Sequence, residues 1–324
     1  MRTPWRTGAA AAIPVVIAAG AIGAWFVLKE PGADLKFDTS VKAQAFVAKH
    51  PRVVFDHGHR NVHSISGRYE PFANLVRADG CRIESSSGTI DEGRLKGVDV
   101  LVIVNATGEV KREESAFSAA EIGQIEKWVR DGGSLLLVAD HHPYGPAAAP
   151  LAKAFGVTMY GGWCDDEANA RKGSGDTGQI VFTRETGLME HPITRGKSAS
   201  DRVSTVETFT GQSLSGPAEA SVLLALSGTA MDRVPVGSKS ETKGSSTTTT
   251  FETRDESAAG HCQGLAMEYG KGRVVVLGEA AMLTAQVDAK TGTKFGMNAA
   301  GNENRQFVLN LVRWLGRAAG NDGA

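Results

Sequence analysis

The stretch "DVLVIVNA", Asp99 to Ala106, is apolar at every position from Val100 to Val104. It shows neither the two-residue alternation of a half-exposed strand nor the length of a helix. A short run of this kind, rich in β-branched residues, reads as a strand covered on both faces, the situation of a central strand in a parallel sheet. Working outward, "SLLLVADHH", Ser134 to His142, is a second such run. The segment between them, "SAFSAAEIGQIEKWVRDGG", has Ser118 as N-cap, Ile122, Ile125 and Val129 on one face, and Gly132-Gly133 as its stop, which together predict a helix. Upstream, "RVVF" (Arg52 to Phe55) and "CRIESSS" are strands on either side of an amphipathic helix from Tyr69 to Ala78 that Gly80 closes. Strands alternating with helices at this spacing predict a doubly wound, mostly parallel α/β sheet.

The pattern loosens after Phe155. Ile180 to Thr183, Val203 to Phe209 and Ser221 to Leu226 read as short strands, so that a β-rich part spans about 157–262. Within it, the Ser/Thr-rich stretch 237–260 is polar and of low complexity, and reads as a flexible surface loop. Regular structure returns in "GLAMEYGKGRVVVLGEAAM", two strands about the turn Gly270 to Gly272, and in a final amphipathic helix at "NENRQFVLNLVRWLGRA". The closing segments are expected to rejoin the first sheet, which makes one α/β domain over 51–324 with a β-rich insertion.

The 35 basic residues nearly cancel the 36 acidic ones, so the chain lacks the electrostatic footprint of a nucleic-acid binder. Cys81, Cys164 and Cys262 are far apart and form no C-x-x-C pair, which leaves no zinc ribbon and at most one disulfide. Segment 1–30 is distinctive: Arg2 and Arg6 precede an uncharged run from Thr7 to Leu28, which stops at Lys29 and Glu30. Two readings are open, a retained transmembrane anchor and a cleaved secretory signal peptide. Either places the bulk of the chain beyond the cytoplasm, in the cell membrane with an extracytoplasmic domain or free in the periplasm or medium. Residues 31–50 are the lead-in.

In an open parallel sheet, side chains at the carboxyl ends of the strands converge on one crevice. The first strand runs into "FDHGHRNVHS", with Asp56, His59 and His63; the strand at Ser134 runs into Asp140 and His141; the late strand "VVVLGEAAM" ends at Glu279. Imidazoles and carboxylates are the usual donors to zinc and related divalent ions, and a catalytic site needs about three plus an open position. His59, His63, Asp140 and His141 are therefore the candidate metal ligands, and Asp56 and Glu279 the candidate catalytic general bases. The spacing is not a specific signature: His59 and His63 form H-x-x-x-H, but Arg60 stands where a zinc protease helix carries Glu. The plain alternative is that Asp56 and Asp140 bond loop amides and the histidines pack. No Ser or Cys stands at the turn after "SLLLVA", so a nucleophile elbow is missing. "HPITRG" at His191 reads as a turn joining two strands, and Cys164 as structural.

The pieces "VVFDHGHRNVHSISGRYEPFANLVRADG", "DVLVIVNA", "GGSLLLVADHHPYG", "HPITRG", "GRVVVLGEAAMLTAQ" and "GMNAAGNENRQFVLNLVRWL" resemble, in order, a bacterial family of uncharacterised exported proteins. That family carries domain of unknown function 4350, within the class I glutamine-amidotransferase-like superfamily. The resemblance runs from about Arg52 to Leu315 and implies a flavodoxin-like fold but no established reaction. Its members read Asp-Glu-Ala-His-x-Asn at the first strand end; here Asp56, His59 and Asn61 match, and His57 stands in place of the acid. True amidotransferases of the superfamily use Cys at the elbow and a later His-x-Glu; Asp140-His141 and Glu279-Ala280-Ala281 stand here instead, which argues against glutaminase chemistry.

Two functions are expected from this reading. One is a metal-assisted hydrolase, with a divalent ion such as zinc in the strand-end crevice. The other is a non-catalytic domain that binds a small-molecule or cell-envelope ligand.

Overall fold

A computed structural model describes residues 14–17, 31–108, 115–243 and 246–318. Five parallel strands form its centre: β1 (Arg52–Asp56), β2 (Arg82–Ser86), β3 (Val100–Val104), β4 (Ser134–Val138) and β5 (Gly272–Leu277). Their spatial order, β2-β1-β3-β4-β5, is that of doubly wound flavodoxin-like sheets. Cys262–Tyr269 folds back antiparallel on β5 through the turn at Gly270, and the short strands Leu214–Ser215 and Ser221–Ala225 pair with its far side.

The apolar runs are strands because both faces are covered. Phe55, Val102 and Val138 point into one core with Phe72 and Leu75 of α1 (Glu70–Ala78) and Phe307 and Leu311 of α4 (Asn304–Leu315). Their chain neighbours Val54, Leu101 and Leu137 point into the other, against Ile125 and Val129 of α2 (Ala119–Arg130) and Leu151 of α3 (Tyr144–Ala154). The alternation of side chains along each strand is what divides one sequence between two cores. Helix α2 begins with a capping box: Ser118 accepts from the Glu121 amide, and Glu121 accepts from the Ser118 amide.

Three parts differ from the sequence reading. The stretch 237–260 is largely a long hairpin, Ala230–Lys243 against Ser246–Ser257, whose inner strand also pairs with Trp163–Asp166. Threonine, β-branched, fits a pleated ribbon better than its polarity suggests, and Phe251 anchors the ribbon on Trp163 at a ring separation of 5.3 Å. "HPITRG" is a helical turn, Pro192–Arg195, because His191 caps it: its Nδ1 accepts from the Ile193 amide. The three cysteines are buried free thiols. Of the apolar segment read as a transmembrane or signal helix, Pro14–Ile17 pairs as a strand with Thr247–Thr250, and the rest of 1–30 lies outside the described residues. Among the described residues no helix is long and apolar enough to cross a membrane.

The lead-in is built into the fold. Gly32–Ala33 adds a strand to Ala285–Val287, which pairs in turn with Lys294–Gly296. The two-stranded ribbon Gln179–Thr183 and Thr205–Phe209 stands nearby, and both small sheets cover the carboxyl-end edge of the parallel strands beside Asp140.

Candidate functional site: a polar cavity over Asp140

The strand ends form two separate clusters. In the first, His59 is buried between two carboxylates: its Nδ1 lies 3.0 and 2.9 Å from the Asp56 oxygens, and its Nε2 lies 3.0 Å from Glu121 Oε1. Asp56 also accepts from the Gly58 amide, and the imidazole packs on Phe117 at 4.5 Å. Burial opposes a charged ring here, yet the hydrogen bonds and charges of Asp56 and Glu121 outweigh it and raise the His59 pKa. Glu121 is itself held down to about 2: burial works against its charge, but the amides of Ser118 and Ile90, the Ser118 hydroxyl and His59 overcome it. The cluster is a carboxylate–imidazolium–carboxylate clamp fastening the loop after β1 to the first turn of α2.

The second cluster surrounds Asp140. The residue follows β4, and neighbouring chain ends fix it. The Asn105 side chain accepts from the Asp140 amide at 2.9 Å and donates to Asp140 Oδ2 at 2.7 Å. Asp140 Oδ1 accepts from the Ala280 amide at 2.7 Å. Fully buried Gln212 donates to the carbonyls of Ala139 and Asp140 and accepts from the Gly161 amide. A side chain at Gly145 would drive a carbon to 2.6 Å from that Gln212 oxygen, so the turn into α3 needs glycine there. Beneath, Glu279 is 1% exposed and its two oxygens accept from the amides of Ala281 and Met282. Burial, then the Asp140 charge, push the Glu279 pKa well up; burial pushes Asp140 up as well, against the pull of His141, Asn105 and the Ala280 amide. The Tyr69 hydroxyl donates to the Ala280 carbonyl at 2.7 Å and closes the floor.

Above Asp140 opens a cavity of about 290 Å³. His63, Arg68, Gln179, Thr210 and Gln286 supply its polar wall, with Asp140 and Asp176; Phe209, Phe295 and Pro31 supply its apolar wall. His63 is 5% exposed, packs on Tyr69 at 5.1 Å, and has a buried Nδ1 with no hydrogen-bond partner. Burial, then the nearby Arg68 charge, hold its pKa down to about 4, so the ring is neutral. Arg68 Nε donates to the carbonyl of Pro31 at 3.1 Å, which ties the lead-in to the rim. Thr210 takes a left-handed backbone, φ +66°, unusual for a β-branched residue and strained.

The structure thus brings His63 and Asp140 to one cavity and places Glu279 against Asp140 below it. It puts Asp56 and His59 in the separate clamp. His141 turns aside: its Nδ1 lies 2.8 Å from the His142 carbonyl and its ring packs on Trp163 at 4.9 Å. The four candidate metal ligands do not fit a common ion. Both His59 nitrogens are taken by carboxylates, Glu279 and Asp56 are spent on amides and the imidazole, and among the described residues no group of three or more His, Cys, Asp or Glu side chains is placed to hold a metal. Arg68, Gln179, Thr210, Gln286, Phe209 and Phe295 were not singled out in the sequence; the one signal is Gly211 in "FTGQ", where a side-chain carbon would come within 2.5 Å of the Gly278 carbonyl oxygen.

No family model matches the chain, and no curated protein matches it. Among solved structures, it is similar to the mmIFT52 N-terminal domain, at 15% identity and a TM-score of 0.56, over 82% of this chain and 96% of that one. It is also similar to a protein described as ThuA-like from Bacteroides uniformis, at 14% identity and a TM-score of 0.42 over 85% and 93% of the two chains. A third is described as a GMP synthase component from Thermoplasma acidophilum, at 11% identity and 0.42 over 83% and 95%. The first likeness speaks for the α/β fold alone.

Proposed function

We propose that this chain is a small-molecule-binding α/β domain of the amidotransferase-like class, related to the domain 4350 family, and exported through its apolar amino-terminal segment Thr7 to Leu28. The observation that carries the binding reading is the cavity over Asp140, where a buried imidazole with an unpartnered nitrogen and an acid gripped by two strand ends share one wall. Preformed pockets with a few fixed polar groups are the usual form of ligand sites, and strand-end crevices their usual place in such sheets. The absence of Ser or Cys after β4 supports binding over acyl transfer. Native mass spectrometry of the full-length chain, incubated with a cell-envelope metabolite extract, tests it. The parent should carry a small-molecule adduct, and Ala281→Leu, which fills the cavity without touching its polar groups, should not. Identical adducts on both proteins overturn the reading.

A second reading has one specific support. Burial raises the pKa of Asp140, and burial together with the Asp140 charge raises that of Glu279 further, the kind of arrangement by which paired carboxyls divide acid and base roles. In it Asp140, which lines the cavity, exchanges a proton with a bound substrate and its attacking water, without a metal step. Turnover of ester or glycoside substrates that Asp140→Asn abolishes without loss of binding would favour it.

A further inference from the structure

We infer that the cavity over Asp140 takes a neutral, hydroxyl-rich ligand about the size of one sugar ring; the inference rests on the binding reading above. Its volume, about 290 Å³, lies at the small end of ligand pockets, which run to about 300–1,000 Å³, and that suits a ring-sized molecule better than a nucleotide.

The wall chemistry selects within that size. Among the described residues, Asp140 and Asp176 bring two negative charges to the wall against the one positive charge of Arg68, so these residues offer no surplus cation to a phosphate or carboxylate. Arg68 also acts on Asp140 and on His63, which places its charge close to both and disfavours an ammonium at the same spot. What remains is a mixed set of acceptors and donors: Asp140 accepts, the amides of Gln179 and Gln286 do both, and neutral His63 offers one N–H and one lone pair. A hydroxyl group donates and accepts through one atom and can answer each of these. His63 adds a neutral, largely buried imidazole to that wall.

The opposite wall is aromatic. Phe209 and Phe295 meet edge to face, ring centroids 5.9 Å apart, and offer an apolar surface to the C–H face of a ring whose hydroxyls point elsewhere. Polar groups on one side and phenyl rings on the other match a molecule with hydroxyls on its rim and carbon on its faces.

The test is a binding panel on the full-length chain by thermal shift and saturation-transfer NMR. The probes are D-glucose, D-galactose and myo-inositol (neutral polyols), L-glutamine and glycine (zwitterions), putrescine (amine), and citrate and phosphate (anions). The expected result is saturable binding of at least one polyol, raising the melting temperature with concentration, and weakened at least tenfold by Asp140→Asn and by Phe295→Ala. Binding confined to the zwitterions, amine or anions, and lost in Asp140→Asn, overturns the ligand class and leaves the pocket reading standing. A polyol bound equally by the parent and both variants overturns the assignment to this cavity, and no saturable binding by any probe counts against both readings.

Discussion

Asn105 holds Asp140 from two sides at once, accepting its main-chain amide and donating to its carboxylate, while its own backbone sits at φ +44°. The residue after β3 thereby aims the residue after β4, its parallel neighbour in the sheet. Asparagine is suited to this, since it tolerates the left-handed region better than other side chains that can make both bonds.

Asn105→Ala should cost about 3 kcal/mol, from about 1 kcal/mol for each hydrogen bond and about 1 kcal/mol for a left-handed alanine. Asn105→Gly should cost about 2 kcal/mol, because it loses only the bonds. Urea unfolding of the three proteins measures both. Equal costs in the two variants would mean that backbone strain at this position is not felt.

The His59 clamp makes stability depend on pH in a defined direction. With a folded pKa above its ordinary value of about 6.5, His59 contributes fully below about pH 6.5, and the contribution disappears as pH rises through the raised value. Glu121, held down to about 2, contributes above its ordinary value of about 4.3 and stops as pH falls toward 2. His63 and His191, both held down to about 4 by burial first, cost stability as pH falls below about 6.5. They are common to parent and variant, so the difference between the parent and His59→Gln isolates the clamp. That difference should be about 3 kcal/mol near pH 6 and shrink toward pH 9. A gap that stays constant from pH 6 to 9 would show that His59 is bound as the neutral ring.

Thr210 stores strain at the cavity wall. Thr210→Gly should leave stability unchanged or raise it by up to about 1 kcal/mol, the relief of a left-handed β-branched residue offset by the freer unfolded chain, while weakening ligand binding. Calorimetric melting paired with the binding assay checks this, and a loss of stability above 1 kcal/mol would argue that the wall needs the threonine for folding.

Away from the site, Arg313 makes two bonds at 2.8 and 2.9 Å to Asp79, which is 1% exposed and also accepts from the Ala45 amide. Arg313→Met strands that carboxylate and should cost about 3–5 kcal/mol; Asp79→Asn with Arg313→Met should recover part of it. Chemical denaturation of the two variants decides, and a double variant no more stable than the single would contradict this reading.

The central strands are legible because burial on both faces leaves an unbroken apolar run, as at Val100 to Val104 and Leu135 to Val138. The cavity is less so. Its floor, Asp140 and Glu279, follows recognisable strands, but its walls come from Gln179, Phe209, Gln286 and Phe295, on short strands whose pairing depends on contacts far along the chain. The histidines of "FDHGHRNVHS" mislead as a group: His59 and His63 are four apart, yet Glu121, 62 positions beyond His59, draws one into the clamp while the other turns to the cavity. Ser118-x-x-Glu121 is visible as a capping box, but a carboxylate already capping a helix gives no sign that it also binds an imidazole. The Thr-rich hairpin is hidden because polarity and low complexity mask β-propensity.

Pro31, whose carbonyl Arg68 holds, is both rim stone and first residue of the lead-in, just before the strand Gly32–Ala33. The cavity is therefore finished by residues that a protein chemist would trim as tail. A polypeptide begun at Asp38 to shed the apolar leader would keep its folded heart and arrive as a bowl with one side broken out. Assays for a ligand belong with chains that begin upstream of Pro31.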